Sequence, residues 1–326
     1  MRNALYASLL AMLFFSACQD SGESEQLQEK GYTVSILARI GKPSPKARYE
    51  QIDGNANAEF AKGDDIGIFI DNDNAVCWKF DGTAWSTSNS IFWKDADKPH
   101  TFCAYYPFSA SEAENKESIK MPSLESQNGS WENIAQYDFL VASKSLSYKE
   151  DHGNVSFTDN HSFKHISSLL KINLKAEGDM AEAVIDKVAL GGSGLMTQTY
   201  YSFATGNIAI DNTNPKESFV ITPKHSMDNH DVSFYFILNG TKADENNSAK
   251  AVTGNPISLT IEYTSNNKKY TAQREGLSSG LSSGCIHEYN ILVKGGSVFI
   301  TGGSITGWTP GNKIEDIIIN GEEIHS

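Results

Sequence analysis

The sequence is short of the features that catalytic and nucleic-acid-binding chains carry. Only 4 cysteines occur in 326 residues, and the three that follow the N-terminal segment, Cys77, Cys103 and Cys285, form no C-x-x-C pair. An odd, widely spaced set excludes a disulfide framework and a zinc site. One bridge remains open, the other reading being small hydrophobic core residues for at least two of them. Basic residues are also scarce: Lys plus Arg is 27 against 40 for Asp plus Glu, a formal net charge of −13. Such a surface disfavours phosphate, so nucleic acid is not expected as a partner. Long apolar runs are absent beyond the first 17 residues. No second segment is long enough to cross a bilayer core of ~30 Å as a helix.

Nucleophile and metal constellations are missing too. Gly191-Gly192-Ser193-Gly194 has Leu195 where a nucleophile elbow needs its second glycine, and reads as a turn. His161 and His165 are four apart, which on a helix puts both imidazoles on one face, but no third ligand follows. His287-Glu288 lacks the second histidine of a zinc protease helix. Asp71-Asn72-Asp73-Asn74 clusters the oxygens that calcium takes, yet Ala75 stands where a loop ligand should be and no glycine turns the chain. A hairpin turn rich in Asx residues accounts for the same letters. No catalytic residue, cofactor or metal is expected, and the chain is read as a non-enzyme.

What is present begins at the N-terminus. An apolar run from Ala4 to Phe15 follows a single Arg2 and ends in Ser16-Ala17-Cys18. Small residues ahead of a cysteine let the backbone enter a peptidase, and the Cys18 thiol is the nucleophile that carries a diacylglycerol. Residues 1–17 therefore read as a lipoprotein signal peptide and Cys18 as the lipidation site. The alternative is an ordinary secretory signal with an incidental cysteine; both take the mature chain out of the cytoplasm. Residues 18–30, opened by Gln19-Asp20-Ser21-Gly22-Glu23-Ser24-Glu25, are acidic and read as a disordered tether.

Period-two alternation dominates the remainder. Tyr32–Ile40 places Val34, Ile36, Ala38 and Ile40 on one face of a half-buried strand, and Pro43 and Pro45 end it. Further strands are predicted at Asp65–Ile70, Ala75–Phe80, His100–Tyr106, Leu169–Lys175, Val184–Leu190, Ser218–Thr222, Val232–Leu238, Ile257–Tyr263, Tyr289–Lys294 and Val298–Ile305. Turn clusters such as Asp81-Gly82 and Asn239-Gly240 separate them. Only His161–Leu170, with Phe163, Ile166 and Leu170 at helix-like spacing, reads as a helical stripe. Many short strands over this length imply an all-β chain of two sandwiches. Composition divides it into an aromatic-rich N-terminal domain, 31–176, and an aliphatic C-terminal domain, 177–326, with the boundary at Ala176-Glu177-Gly178-Asp179. The repeat Gly276–Gly284 (GLSSGLSSG) reads as a flexible loop. The N-terminal aromatics, Trp78, Trp85, Trp93, Tyr105, Tyr106 and Trp131, are either core or an exposed platform for sugar rings.

The N-terminal part resembles the fimbrillin family of the Bacteroidetes, the subunits of type V pili. The residues that carry this are Phe60-Ala61-Lys62-Gly63-Asp64-Asp65-Ile66-Gly67-Ile68-Phe69, then Trp85, Phe92-Trp93 and Phe102-Cys103-Ala104-Tyr105-Tyr106-Pro107-Phe108. Tyr137-Asp138-Phe139-Leu140-Val141-Ala142 and Phe163-Lys164-His165-Ile166-Ser167-Ser168-Leu169-Leu170-Lys171-Ile172 follow in the family's order, and Tyr289–Val293 and Ile305-Thr306-Gly307-Trp308 resemble its closing strands. The acidic run after Cys18 resembles the surface-export signal of Bacteroidetes lipoproteins.

The resemblance implies two transthyretin-like Greek-key β-sandwich domains in tandem, and a lipid-anchored precursor at the outer membrane and cell surface that becomes part of a fimbrium. It also implies assembly by strand exchange. A trypsin-like surface protease cuts after an arginine in the loop behind the first strand, and the departing strand, with Val34, Ile36, Ala38 and Ile40, leaves a groove for a neighbour's C-terminal strand. Arg48 fills the scissile place, with Tyr49 as the new N-terminus, because Arg39 falls inside the strand. The donor would be the tail Lys313–Ile324, with Ile314, Ile317, Ile318, Ile319 and Ile324. The other reading of that tail is the last strand of the C-terminal sandwich. Implied partners are other fimbrial subunits, the protease, the membrane through the lipid, and a host or bacterial surface ligand. The alternative function is a non-polymerising surface lipoprotein, a tip adhesin or glycan-binding module.

Overall fold

The structure is a computed structural model and describes residues 32–40, 50–52, 55–57, 59–192, 195–210, 218–239, 242–243, 249–250, 257–278, 281 and 283–307. Among them the single α-helix is the turn Tyr148–Asp151, opened by Ser147, whose backbone N–H donates to Glu150 at 2.6 Å. The rest is strand, turn and short 3-10 helix, so the chain is all-β, as its alternation predicts. Strands form at Asp65–Ile70, His100–Tyr106 and Val232–Leu238 with the predicted bounds.

A six-stranded antiparallel sheet runs in the order 164–165, 140–146, 100–106, 65–70, 76–80, 85–86. One face carries Ile66, Ile68, Trp78, Phe102, Ala104 and Leu140, and the other Phe69, Cys103, Tyr105, Phe139 and Val141. Burial on both faces explains why Asp65–Ile70 reads as nearly continuous apolar sequence. On the first face lies the parallel pair Ser35–Ala38 and Asn154–Phe157. On the second lies a small sheet of Ile119–Lys120, Thr199–Ser202 and Asn207–Ile210, which buries Ile119, Tyr201 and Ile208. Gly67 sits opposite Tyr105 in this sheet, and a Cβ there would stand 2.3 Å from Tyr105 Cε1. The tyrosine ring crosses bare backbone.

A second sheet runs 218–221, 184–191, 257–265, 268–278, 297–307, 285–294, 168–174, 232–238. Its middle link is the single pair Gln273–Ser297, and there it folds into two leaves over one apolar cluster. Val188, Leu190, Leu259 and Ile261 of one leaf share that cluster with Ile172, Leu174, Phe236 and Ile291 of the other. Ile257–Ser265 alternates buried and half-buried residues, the mark of a strand with one face inward.

The open side of this sandwich is closed by chain from far upstream. Leu124, Ile134 and Tyr137 belong to its core. The Gln127 amide accepts from the Ile237 N–H at 2.6 Å and donates to its carbonyl at 3.0 Å. The Gly129 carbonyl accepts from the Tyr235 N–H at 2.9 Å. Edge strand Val232–Leu238 thus gains partners that neither sheet supplies.

Three expectations need revision. His161–Leu170 is extended, because Phe163, Ile166 and Leu170 pack against three different apolar clusters, which one helix face could not reach. Lys164–His165 pairs with Leu140 and Val141 instead. Sheet membership changes between His165 and Ser168, ahead of the 176/177 junction expected from composition, since Ser168–Leu174 pairs with Val232–Leu238 and Cys285–Lys294. The crossing is held by Ser167 Oγ donating to Asn239 Oδ1 (2.6 Å) and Asn239 Nδ2 donating to Thr199 Oγ1 (2.8 Å). Of the Gly276–Gly284 repeat, Gly276–Ser278 belong to strand Lys268–Ser278, and Leu277 and Leu281 are buried in the second core, where a flexible loop was expected.

Candidate functional site

The first strand and its cradle form the site. Val34, Ala38 and Ile40 are buried, Ile36 is half-buried against the same cluster, and Ser35, Leu37 and Arg39 face outward, with Leu37 47% exposed. Ser35 and Arg39 donate their N–H groups to Gly153 and Phe157, and the Phe163 N–H donates to the Arg39 carbonyl. On the other side the Val34 N–H reaches the Ile91 carbonyl, and the Trp93 N–H reaches that of Tyr32. The cradle is aromatic. Phe60 meets Trp85 edge-on at 4.9 Å and Phe163 at 5.2 Å, while Trp93 lies 5.2 Å from Phe102.

The remaining expected site residues divide by position. Cys18, Arg48, Tyr49 and the tail with Ile314, Ile317, Ile318, Ile319 and Ile324 lie outside the described residues, as do Ser193 and Gly194. Both hydrogen-bonding groups of the Arg39 backbone are engaged, and Arg274 lies inside strand Lys268–Ser278. Cys77, Cys103 and Cys285 are free thiols; burial pushes Cys103 up and Cys285 up to about 11.

The side chains of the acidic turn Asp71–Asn74 are engaged by a histidine and two lysines. Asp71 Oδ2 is 2.6 Å from His100 Nδ1, Asp73 is 2.6 Å from Lys94, and Lys116 donates to Asn72 Oδ1 at 3.2 Å. Burial raises the Asp71 pKa, but the hydrogen bonds from His100 and the Thr101 N–H outweigh it, so the net direction is down. His161 hydrogen-bonds the Ser143 carbonyl at 3.0 Å. His165, its supposed partner, is instead fully buried with Asp138, Nδ1 to Oδ2 2.7 Å, both side chains 0% exposed. Among the described residues no group of three or more His, Cys, Asp or Glu is placed to hold a metal.

Sequence reasoning missed that Asp138–His165 pair. It joins the Tyr137–Ala142 motif to the Phe163–Ile172 motif through a buried hydrogen bond, and removal of one partner would leave the other's polar group buried without it. The signal available was faint: an aspartate between Tyr137 and Phe139, and a histidine between Lys164 and Ile166. Of the N-terminal aromatics weighed as a platform for sugar rings, Trp78, Trp85 and Trp93 are 4%, 7% and 2% exposed and Tyr105 is fully buried, so these four are core. Burial raises the Tyr105 hydroxyl to about 12 and pushes Tyr106 higher still. Trp131 alone among the described tryptophans is half-buried, at the start of the 3-10 helix Trp131–Gln136.

The described residues form an almost wholly β-sheet architecture with apolar clusters on both sides of its first sheet. A sequence profile described as Fimbrillin-like matches residues 53–308. The chain belongs to that family, whose members are fimbrial or adhesion subunits of the cell surface. No curated protein matches it. A proposed cell adhesion protein of Bacteroides uniformis is 17% identical over 85% of this chain and 100% of its own, with a TM-score of 0.56. Another, from Bacteroides ovatus, is 16% identical over 86% and 99%, TM-score 0.58. The tip fimbrial protein Mfa3 of Porphyromonas gingivalis, C-terminally truncated, is 10% identical over 84% and 99%, TM-score 0.45. At these identities the likeness to the two Bacteroides structures speaks to the fold alone.

Proposed function

We propose that this chain is exported as a lipoprotein through Cys18, held at the outer membrane, and built into a fimbrium by protease-triggered strand exchange. The observation that carries the reading is the docking of Val34–Ile40. This short segment inserts Val34, Ala38 and Ile40 into an aromatic core, and Arg48 follows it in sequence, whereas the Arg39 backbone is hydrogen-bonded and Arg274 lies inside a strand. Burial of these aliphatic side chains contributes on the order of 5–10 kcal/mol before chain entropy is counted. Exchange of like for like is nearly neutral, so a cut at Arg48 supplies the irreversibility. An emptied cradle with unpaired edges invites aggregation, which favours cutting late, at the surface. The donor in this scheme is the tail Lys313–Ile324 of a neighbouring subunit, and the two sheet systems act as tandem domains.

Digestion of the signal-free chain with an arginine-specific protease tests this directly, with N-terminal sequencing and electron microscopy of the product. A fragment starting at Tyr49 that forms filaments supports the scheme. A chain cut at Arg48 that stays monomeric overturns it and favours the non-polymerising surface lipoprotein, a tip adhesin.

A further inference from the structure

The mouth of the second sandwich, where its two outermost strands Ser218–Ile221 and Val232–Leu238 come together, holds an open trough of 780 Å³. Its walls include Asn128, Trp131, Glu132, Val220, His225 and Tyr235. The Trp131 and Tyr235 rings meet edge-on at 5.1 Å, with Tyr235 buried and Trp131 half-buried, and Val220 is 50% exposed. Asn128, Glu132 and His225 are exposed on the rim. Among the described residues neither lysine nor arginine lines the trough.

We propose that this trough binds a neutral carbohydrate, with the Trp131 ring as stacking platform; the idea rests on the surface-adhesion reading and names its ligand class. Three alternatives fit less well. An anionic ligand would meet Glu132 and no cation. An added peptide strand would need edge N–H groups, but those of Tyr235 and Ile237 are already given to Gly129 and Gln127. A purely apolar ligand would leave the amide, carboxylate and imidazole of the rim without use. A sugar ring uses both kinds of surface: its C–H face is complementary to the negative face of the indole, and its hydroxyls match Asn128, Glu132 and His225. The volume lies within the range of small-molecule sites of about 300–1,000 Å³.

The test is calorimetric titration of the mature chain with neutral β-galactosides, α-mannosides and xylo-oligosaccharides, and with sialyllactose as the anionic comparison. At least one neutral oligosaccharide should bind, with sialyllactose weaker. Trp131→Ala should weaken binding about tenfold or more, and Trp131→Phe should restore most of it. Because Trp131→Ala also removes packing against Tyr235, the exposed-rim variants Asn128→Ala and His225→Ala are measured alongside, each expected to lose severalfold in affinity. Absence of binding by every neutral saccharide, or equal binding by all variants, overturns the proposal. Filament formation after Arg48 cleavage is scored separately with Trp131→Ala: filaments without sugar binding refute the trough alone, and sugar binding without filaments refutes polymerisation alone.

Discussion

If the first strand is docked in solution as the structure has it, its residues form a comb of costly and silent positions. Ile40→Ala removes three carbons from a site that is 7% exposed, inside an aromatic cluster that cannot collapse freely. The expected loss is about 2–4 kcal/mol, transfer and cavity contributions together. Val34→Ala, equally buried, should cost about 1–3 kcal/mol. Leu37→Ala should stay within about 0.5 kcal/mol, because Leu37 is nearly half exposed on the opposite face. Urea unfolding of the signal-free chain, followed by tryptophan fluorescence, reads these differences, since Trp85 and Trp93 share the strand's cluster. The test lies in the ranking. Equal costs at Leu37 and Ile40, or none at any position, would refute the docked register and with it the physical basis for strand exchange.

Three other substitutions probe separate parts of the fold. Gln127→Ala strips both partners from Ile237 and should lower the unfolding free energy by about 2–4 kcal/mol, and Gln127→Glu, which sets a buried carboxylate against the Ile237 carbonyl, should cost at least as much; thermal melts of the two compare them. Gly67→Ala places a methyl on Tyr105 and Phe108 and should cost about 1–3 kcal/mol, visible in near-UV circular dichroism as disturbed aromatic packing. Asp71 has a depressed pKa in the folded chain, so its contribution is present above the ordinary carboxylate range and lost as pH falls through the lowered value. Asp71→Asn should therefore destabilise by about 1 kcal/mol near neutrality, a figure reduced for its partial exposure, and match the parent chain in strong acid; a constant gap across urea midpoints from pH 7 to 2 would refute that.

The comb at Val34–Ile40 was legible because alternation with a period of two reports which side of a strand faces inward. Fold class followed from many such runs between turns. Alternation says nothing about which sheet a strand joins, and there the sequence was silent. Ser168–Leu174 follows the N-terminal strands in the chain and pairs with C-terminal ones. Thr199–Ile210 does the reverse, leaving the second sheet to cover Phe69 and Tyr105 of the first. Strand Lys268–Ser278 escaped notice because KKYTAQREGLS is polar along most of its length. Edge capping by Gln127 is a single side chain acting on a residue 110 positions away, which no local pattern encodes. The Asp138–His165 pair is of the same kind: its members are separated by 27 positions, and only the folded chain joins them.

These crossings bear on how a subunit could lose a strand and survive. Val34, Ala38 and Ile40 belong to one apolar cluster, while the second sandwich packs around another that none of them enters. The far face of the first sheet is covered by Ile119, Tyr201 and Ile208, so this sheet stays attached through a layer that the first strand does not touch. Residues 124–137 anchor the first half of the chain in the second core, and Ser167, Asn239 and Thr199 lock the crossing point. Removal of the N-terminal strand therefore exposes one face of one sheet and leaves its other face and the second sandwich packed. A subunit arranged in this way can present an open cradle to a neighbour without unfolding, which is the mechanical condition that strand exchange demands.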